Sequence, residues 1–194
     1  MADFTVIGDV GETLKKLLDS DELWSGISPR PDITFKSPYE IKEDSGSPNK
    51  VSIFLYHIED NRYMRNLEPE RVDDSTLKMP PVTLDLYYLI TPYSDDKTQE
   101  KIILGKVIQI FHDNAVLTGS VLQGALSGTD TELKLLFNPL SIDDMTKLWS
   151  AFQDVPYRLS VTYMVTPVRI DSTKEIDAKR VLSKENIYSE LRRQ

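Results

Sequence analysis

The chain has 194 residues, enough for one compact domain with a full core, and its 40% hydrophobic and 28% charged residues are ordinary for a globular protein. With 31 acidic against 23 basic residues it carries a net charge of −8, which argues against binding nucleic-acid phosphates. It contains no cysteine, so disulfides, zinc–thiolate sites and a cysteine nucleophile are excluded.

Nothing in the sequence predicts export or direct insertion into a membrane. Residues Met1–Val10 contain Asp3 and Asp9 and lack the basic stretch of a secretory signal. No apolar run reaches the roughly 18–20 residues of a membrane span. We therefore expect a protein that is made and folded in the cytoplasm.

The first part of the chain predicts one helix, two strands and two loops. Thr5–Asp19 has apolar residues at helical spacing, and Ile33–Phe35 has the composition of a short strand. Glu40–Lys50 is rich in turn formers and is predicted to be a loop. Val51–Ile58 is apolar on both faces, which predicts a central strand. Asn61–Lys78 is polar and aperiodic, which predicts a long surface excursion.

The middle of the chain predicts a strand, a helix and a loop. Val82–Ile90 alternates between inward and outward residues and is the clearest strand in the sequence. Ser94–Asp96 contains helix-capping side chains, and the helix that follows is predicted to run to about His112. Asn114–Asp130 is rich in Gly, Ser and Thr and is predicted to be a loop.

Thr131–Asn138 is predicted to be a strand, and a helix capped by Ser141 follows it through Phe152. Asp144 stands three residues after Ser141, a variant of the capping box with Asp in place of Glu. The spacing of this helix predicts a buried face made of Ile142, Met145, Leu148, Trp149 and Phe152.

Tyr157–Ile170 is predicted to be the last strand, and Pro167 favours an edge position or a strand end, because proline cannot donate to a ladder. Its inward residues are predicted to be Leu159, Val161, Tyr163 and Val165.

This order of elements predicts a single α/β or α+β domain over residues 1–172, with a mixed β-sheet and packed helices. The segment 173–194 is predicted to be a charged C-terminal tail, with six basic and four acidic residues and a short helix over Ser183–Arg192.

The sequence contains no motif that predicts catalytic, cofactor-binding or metal-binding residues. His57 and His112 lack companions at ligand spacing, and no Gly-Lys-Ser/Thr follows the glycines of the 114–130 loop. The acidic pairs Asp73-Asp74, Asp95-Asp96 and Asp143-Asp144 lie at turns or helix starts, where Asp caps backbone amides. A small enzyme with an unrecognised site stays open as an alternative.

A few large or charged side chains are candidates for contacts with a protein partner. Arg62, Arg65 and Arg71 cluster in the surface excursion, and the acidic chain favours a protein contact or simple solvation over phosphate binding for them. Trp24 lies in a loop, after Asp21-Glu-Leu, and could pack across a subunit boundary, whereas Trp149 lies on the buried face of its helix.

Several segments, taken in order, resemble one family. They are VSIFLYHIEDN at 51–61, MRN at 64–66, MPPVTLDLYYLITPY at 79–93, LGKV at 104–107, FNPLS at 137–141, LWSAF at 148–152 and YRLSVTY at 157–163. From Val6 to Ser172 the chain resembles the tail-terminator (cap) proteins of extracellular contractile injection systems of the Photorhabdus virulence cassette and antifeeding prophage type.

The resemblance implies a structural, non-enzymatic function. It implies a homo-oligomer, a six-fold ring at the distal end of the particle, that stops growth of the inner tube and anchors the last layer of sheath. It also implies assembly in the bacterial cytoplasm, with sheath and inner-tube proteins as partners and no cofactor. A baseplate or adaptor component of a related particle is the alternative.

Sheath subunits of such particles are joined by exchanged strands, so strand addition to an open sheet edge is the expected docking mode. We expect that edge at Tyr157–Ile170, where Arg158, Ser160, Thr162 and Met164 are the candidate partner-binding residues. The loops Asn61–Lys78 and Asn114–Asp130 are candidate ring or tube contacts. The tail, with Arg192 and Arg193, is expected to clasp a neighbouring protomer.

Overall fold

The computed structural model describes residues 3–42, 46–65, 67–71, 73, 76–153 and 155–177. Its helices are α1 (Val6–Leu18), α2 (Pro38–Lys42), α3 (Lys97–Asp113) and α4 (Ile142–Ser150), with 3₁₀ turns at Asp21–Trp24, Gly119–Val121 and Gly124–Leu126. Its strands are β1 (Asp32–Thr34), β2 (Lys50–Asp60), β3 (Glu70–Arg71), β4 (Thr76–Lys78), β5 (Val82–Tyr93), β6 (Val116–Leu117), β7 (Leu133–Phe137), β8 (Val161–Ile170) and β9 (Glu175–Asp177).

The main sheet has six strands in the order β1-β2-β5-β8-β7-β6, with helices packed on both faces. β1 runs parallel to β2, and every other neighbouring pair is antiparallel. The sheet is therefore mixed, as predicted, and the fold is a single α+β domain. β2 lies between β1 and β5, which confirms its prediction as a central strand.

The prediction that Tyr157–Ile170 forms a sheet edge is wrong. The strand begins at Val161 and pairs with β5 on one side and β7 on the other. Pro167 is tolerated because the β5–β8 register shifts there, between the pairs Leu84–Val168 and Leu86–Val165. A bulge of this kind needs no ladder donor at the extra residue.

One face of the sheet packs against α1 and α3 and holds the larger core. α1 contributes buried residues at helical spacing, and the predicted helix over Thr5–Asp19 is confirmed at Val6–Leu18. Phe111 of α3 packs edge-on against Tyr163 of β8 with ring centroids 5.0 Å apart. The core side chains of this face include Val10, Leu14, Ile53, Leu86, Ile103, Val107 and Val165.

The opposite face of the sheet packs against α4 around Leu89, Met145 and Trp149. Ile142 was predicted in this buried face, but its side chain is 86% exposed. Leu159 was predicted to point inward and is 51% exposed, because it precedes β8 and does not share the pleat of the strand. Helical or strand spacing states which residues share a face, but not whether another element covers the ends of that face.

A second, three-stranded sheet in the order β3-β4-β9 forms from segments predicted to be irregular. β3 and β4 come from the surface excursion, and β9 comes from the charged segment after Ser172. Leu77 pairs with Ile176, across about a hundred residues of chain. The sequence did not predict these strands, since each is only two or three residues long. The helix predicted over Ser183–Arg192 lies outside the described residues.

The predicted loop Asn114–Asp130 is anchored on α1. The Ala125 N–H donates to the Asp9 carboxylate at 3.0 Å, and the Gln123 N–H donates to the Thr13 hydroxyl at 3.1 Å. Leu122 and Leu126 of the loop are buried in the larger core. The loop therefore joins the first helix to the β6 end of the sheet.

Candidate interaction surfaces

The acidic pairs at the starts of α3 and α4 take part in helix caps, with Asp96 as the N-cap of α3 and Asp144 in contact with Ser141, the N-cap of α4. The Asp96 carboxylate accepts from the Thr98 N–H at 2.8 Å. The Ser141 hydroxyl accepts from the Asp144 N–H at 3.1 Å and donates to the Asp144 carboxylate at 2.7 Å, which lowers the pKa of Asp144. Among the described residues, no group of three or more His, Asp or Glu side chains could hold a metal ion.

His57 lies in an aromatic cluster on the sheet. It stands beside Tyr87, with ring centroids 5.3 Å apart, and Tyr56 lies 6.5 Å from it on the same strand. The Tyr87 hydroxyl donates to Glu59 at 3.3 Å. His57 is itself exposed, and these rings pack beside it on the surface of the sheet.

The surface excursion starts from a buried polar junction. Asn61 is 8% exposed, and its amide donates to Asp85 at 2.9 Å and to the Thr166 hydroxyl at 3.3 Å. Thr166 also donates to Asp85. The junction ties the end of β2 to β5 and β8 and so fixes where the excursion leaves the sheet.

The candidate arginines of the excursion pair with carboxylates of their own chain. Arg62 pairs with Glu59 at 2.6 Å and lowers the pKa of that carboxyl, and Arg65 pairs with Asp60 at 2.5 Å. Both guanidinium groups stay largely exposed, and Arg71 is exposed on β3. All three remain available for contact with a partner, but only Arg62 and Arg65 lie together at the end of β2.

Trp24 is a core residue, so its predicted place at a subunit boundary is wrong. Its side chain is 2% exposed, and its indole N–H donates to the Leu18 carbonyl at 2.8 Å. The 3₁₀ turn at Asp21–Trp24 folds it back under α1. The sequence predicted a loop here and could not indicate that the loop points the ring inward.

The four candidate residues around β8 are divided between the interior and the surface. Ser160 and Thr162 are buried: Trp149 donates to the Ser160 hydroxyl at 3.2 Å, and Thr162 donates to the Asn138 carbonyl. These two residues cannot meet a partner, because α4 and the β7 end cover them. Met164 is half-buried, and Arg158 is partly exposed beside Tyr93. Arg192 and Arg193 lie outside the described residues.

The β6–β7 end of the main sheet is an edge that carries exposed apolar side chains. The Leu135 N–H donates to the Ala115 carbonyl on the β6 side, and the Asn138 N–H donates to Thr162 on the β8 side. Backbone N–H groups alternate between the two sides of a strand, so the Phe137 N–H points toward the β6 side. The last β6–β7 pair is Val116–Lys134, so this N–H lies beyond the end of that ladder. Exposed apolar side chains flank this position: Val116 at 52%, Leu136 at 40% and Phe137 at 53%.

In the part of the chain that the structure describes, no helix is long and apolar enough to cross a membrane. The mixed-sheet domain has an open strand edge at Phe137, with exposed apolar side chains beside it.

This fold is that of the sheath and tube terminators of contractile injection systems. The chain superposes on the PVC sheath/tube terminator of an extracellular contractile injection system in its extended state with a TM-score of 0.66 and 22% identity. It superposes on the tube-terminating cap of the anti-feeding prophage with a TM-score of 0.60 and 22% identity.

The chain belongs to the Pvc16 N-terminal domain family, whose model matches residues 9–184. The structural matches cover 98% and 93% of this chain but 65% and 61% of the two terminators, so the chain spans about two thirds of their length or slightly less. No curated protein matches the sequence.

Proposed function

We propose that this chain is a subunit of the terminator of a contractile injection particle, ending inner-tube growth and anchoring the last sheath layer. The observation that supports this most is the shared fold, which extends over 98% of the chain to a protein described as a sheath/tube terminator. Membership of the Pvc16 N-terminal domain family over residues 9–184 agrees with it.

The open end of β7 offers a physical means of anchoring sheath. An extended segment of a sheath subunit would add as a strand beside Phe137, pairing with its outward backbone N–H and carbonyl. Val116, Leu136 and Phe137 would supply apolar contacts beside the new strand. This site replaces Tyr157–Ile170 as the proposed docking edge.

We propose that the working form is a ring of six copies. A closed ring needs two different, complementary surfaces on each copy. The β3-β4-β9 sheet with the excursion arginines is one proposed surface, since Tyr63 is 98% exposed and Leu67 and Ile176 are 41% and 38% exposed. The protein would work through these contacts without catalysis.

The cap function is tested by removing the gene and measuring the particles by electron microscopy. We expect inner tubes of uncontrolled length and sheath that detaches at the end away from the baseplate. Labelled protein restored to these particles should decorate that distal end. Normal, length-controlled particles would contradict the proposal, and label at the baseplate would favour an adaptor.

The docking edge is tested with a matched pair of variants at one residue. Phe137→Pro removes the outward N–H and the ring, whereas Phe137→Ala removes only the ring. If strand addition occurs here, Phe137→Pro should lose binding to sheath–tube ends in a pull-down that Phe137→Ala retains in part. Equal binding by the two variants would refute strand addition at this edge, and circular dichroism would establish that both fold.

A further inference from the structure

Tyr63 is a fully exposed aromatic side chain on a fixed piece of backbone. It is 98% exposed, yet its N–H donates to the Asn61 side-chain carbonyl at 3.0 Å, and the Met64 N–H donates to the Asn61 main-chain carbonyl at 3.2 Å. The Asn61 amide is held in turn by Asp85 and Thr166. The backbone that carries the ring is therefore already ordered, which lowers the entropy cost of inserting the ring into a partner.

A groove of about 420 Å³ lies beside the start of α4, and we call it the α4 groove. This volume falls within the range of roughly 300–1,000 Å³ typical of ligand pockets, so it has room for one aromatic ring. Its walls are exposed apolar side chains, since Ile142 is 86% and Tyr157 is 58% exposed. The Tyr157 ring is kept in place edge-on to Trp149, with ring centroids 5.6 Å apart. The groove is lined by Leu140, Ile142, Met145, Thr146, Tyr157 and Ser160.

The strand ladders place the surface excursion and the α4 groove at opposite ends of the main sheet. The Asn61 N–H donates to the Thr83 carbonyl, and Thr83 pairs with Arg169 near the end of β8. The groove residues at 157–160 come directly before Val161, the first residue of β8. The 10 residues of β8 separate the two surfaces, about 30 Å at roughly 3.3 Å per residue.

We infer that Tyr63 of one copy inserts into the α4 groove of the next copy. A closed ring needs two different, complementary surfaces that lie apart on each copy, and the two ends of the sheet supply them. The separation of about 30 Å also puts the groove beyond the reach of Tyr63 in its own copy. The inference rests on the ring in the proposed function and adds the surface that faces the excursion.

The charges at the rims of the two surfaces are complementary. Arg62 and Arg65 flank Tyr63, and their side chains stay 75% and 51% exposed although each pairs with a carboxylate of its own chain. Asp143 follows Ile142 at the start of α4, is exposed, and has no basic partner among the described residues. Exposed ion pairs contribute little affinity, so these charges would set the orientation of the contact and the ring of Tyr63 would hold it.

The experiment measures self-association of the full chain by sedimentation equilibrium. Tyr63→Ala should weaken self-association about 30-fold, the loss typical of an aromatic side chain at the centre of an interface. Tyr63→Phe is the matched control, since it keeps the ring and should associate as the unmodified chain does. Ile142→Asp puts a charge on the groove wall and should also weaken association about 30-fold. Both positions are exposed, and circular dichroism would establish that the variants fold.

Mixing the two weakened variants tests whether the contact is head-to-tail. The Ile142→Asp chain keeps an intact Tyr63, and the Tyr63→Ala chain keeps an intact groove. An equimolar mixture should therefore form pairs as tightly as the unmodified chain does, and should stop at two copies. A two-fold contact that joined the same surface of both copies would give no such recovery.

Unchanged association of Tyr63→Ala, or a mixture no tighter than its separate variants, would overturn the inference. If the purified chain stays monomeric, the same variants are compared by the amount bound to sheath–tube ends, and equal binding is the contrary result. Loss of length control on gene deletion, with no effect of Tyr63→Ala, removes the inference but leaves the cap function. Normal particles on gene deletion, with self-association that requires Tyr63, remove the cap function but leave the contact.

Discussion

Gly124 holds a conformation and a contact that only glycine allows. Its φ of +57° lies in the left-handed region, and a Cβ there would stand 2.0 Å from the Asp9 carboxylate oxygen. That carboxylate cannot simply move aside, because it accepts from the Ala125 N–H at 3.0 Å. The anchoring of the 114–130 loop on α1 thus depends on the lack of a side chain at one position.

We predict that Gly124→Ala destabilises the protein by about 2–3 kcal/mol, combining backbone strain with loss of the Asp9 contact. Gly119→Ala is the matched control, since Gly119 has a φ of +60° but open space where its Cβ would go. It should cost only the strain, about 1 kcal/mol. Urea denaturation measures both, and equal losses would show that the Asp9 contact contributes nothing.

Tyr93 also predicts how stability depends on pH. Its pKa is about 12 in the folded protein, against about 10 in an unfolded chain. Between these values the unfolded state loses a proton that the folded state keeps, so stability falls as pH rises above about 10. Burial also raises the pKa of Tyr88, which adds to the same trend.

We therefore expect Tyr93→Phe to flatten the loss of stability between about pH 10 and 12, by at most about 1.4 kcal/mol per pH unit. Urea denaturation at several pH values measures the slope. An unchanged slope would mean that Tyr93 ionises as readily in the folded protein as in the unfolded chain.

At the scale of single elements, α4 illustrates how a short helix is held in place. It spans only Ile142–Ser150, and an isolated helix of that length is not stable in water. Its stability comes from the packing of Met145 and Trp149 on Leu89 and from the Ser141 cap.

Ser141→Ala should therefore destabilise the protein by about 1 kcal/mol, the usual cost of a lost N-cap. Ser150→Ala is the control at the other end of the same helix, where the hydroxyl donates to the Lys147 carbonyl on the exposed surface. It should change stability by less than about 0.5 kcal/mol. A chemical denaturation series compares the two, and a larger loss for Ser150→Ala would refute the capping argument.

At the scale of the whole molecule, the net charge of −8 opposes self-association. If six copies form the proposed ring, repulsion between the copies must be overcome by apolar and strand contacts. Added salt screens that repulsion, since the Debye length falls to about 10 Å at 0.1 M.

We expect self-association at a fixed protein concentration to strengthen as sodium chloride rises from about 20 to about 300 mM. Analytical ultracentrifugation provides the measurement. Weaker association at high salt would mean that ion pairs between copies dominate the ring contacts, for example pairs formed by Arg62, Arg65 or Arg71.

Local patterns were sufficient to predict the longer helices and strands. The alternation of Val82–Ile90, the helical spacing of α1 and the cap at Ser141 each arise from neighbouring residues in the chain, so the sequence predicts them directly. The ordered segments also indicated the terminator family, which the match over residues 9–184 confirms.

Strand order and the exposure of individual side chains were decided only by the tertiary structure. The sequence indicated an edge at Pro167, but β7 and β5 flank that strand, and the exposed apolar edge described above lies at Phe137. It also could not indicate that Trp24 turns inward or that β4 meets β9. The sequence alone determined the longer helices and strands, because those depend on near neighbours, whereas the short strands β3, β4 and β9 form only by pairing with one another. Which surfaces stay open depends on contacts between residues far apart in the chain, and only the folded structure contains them.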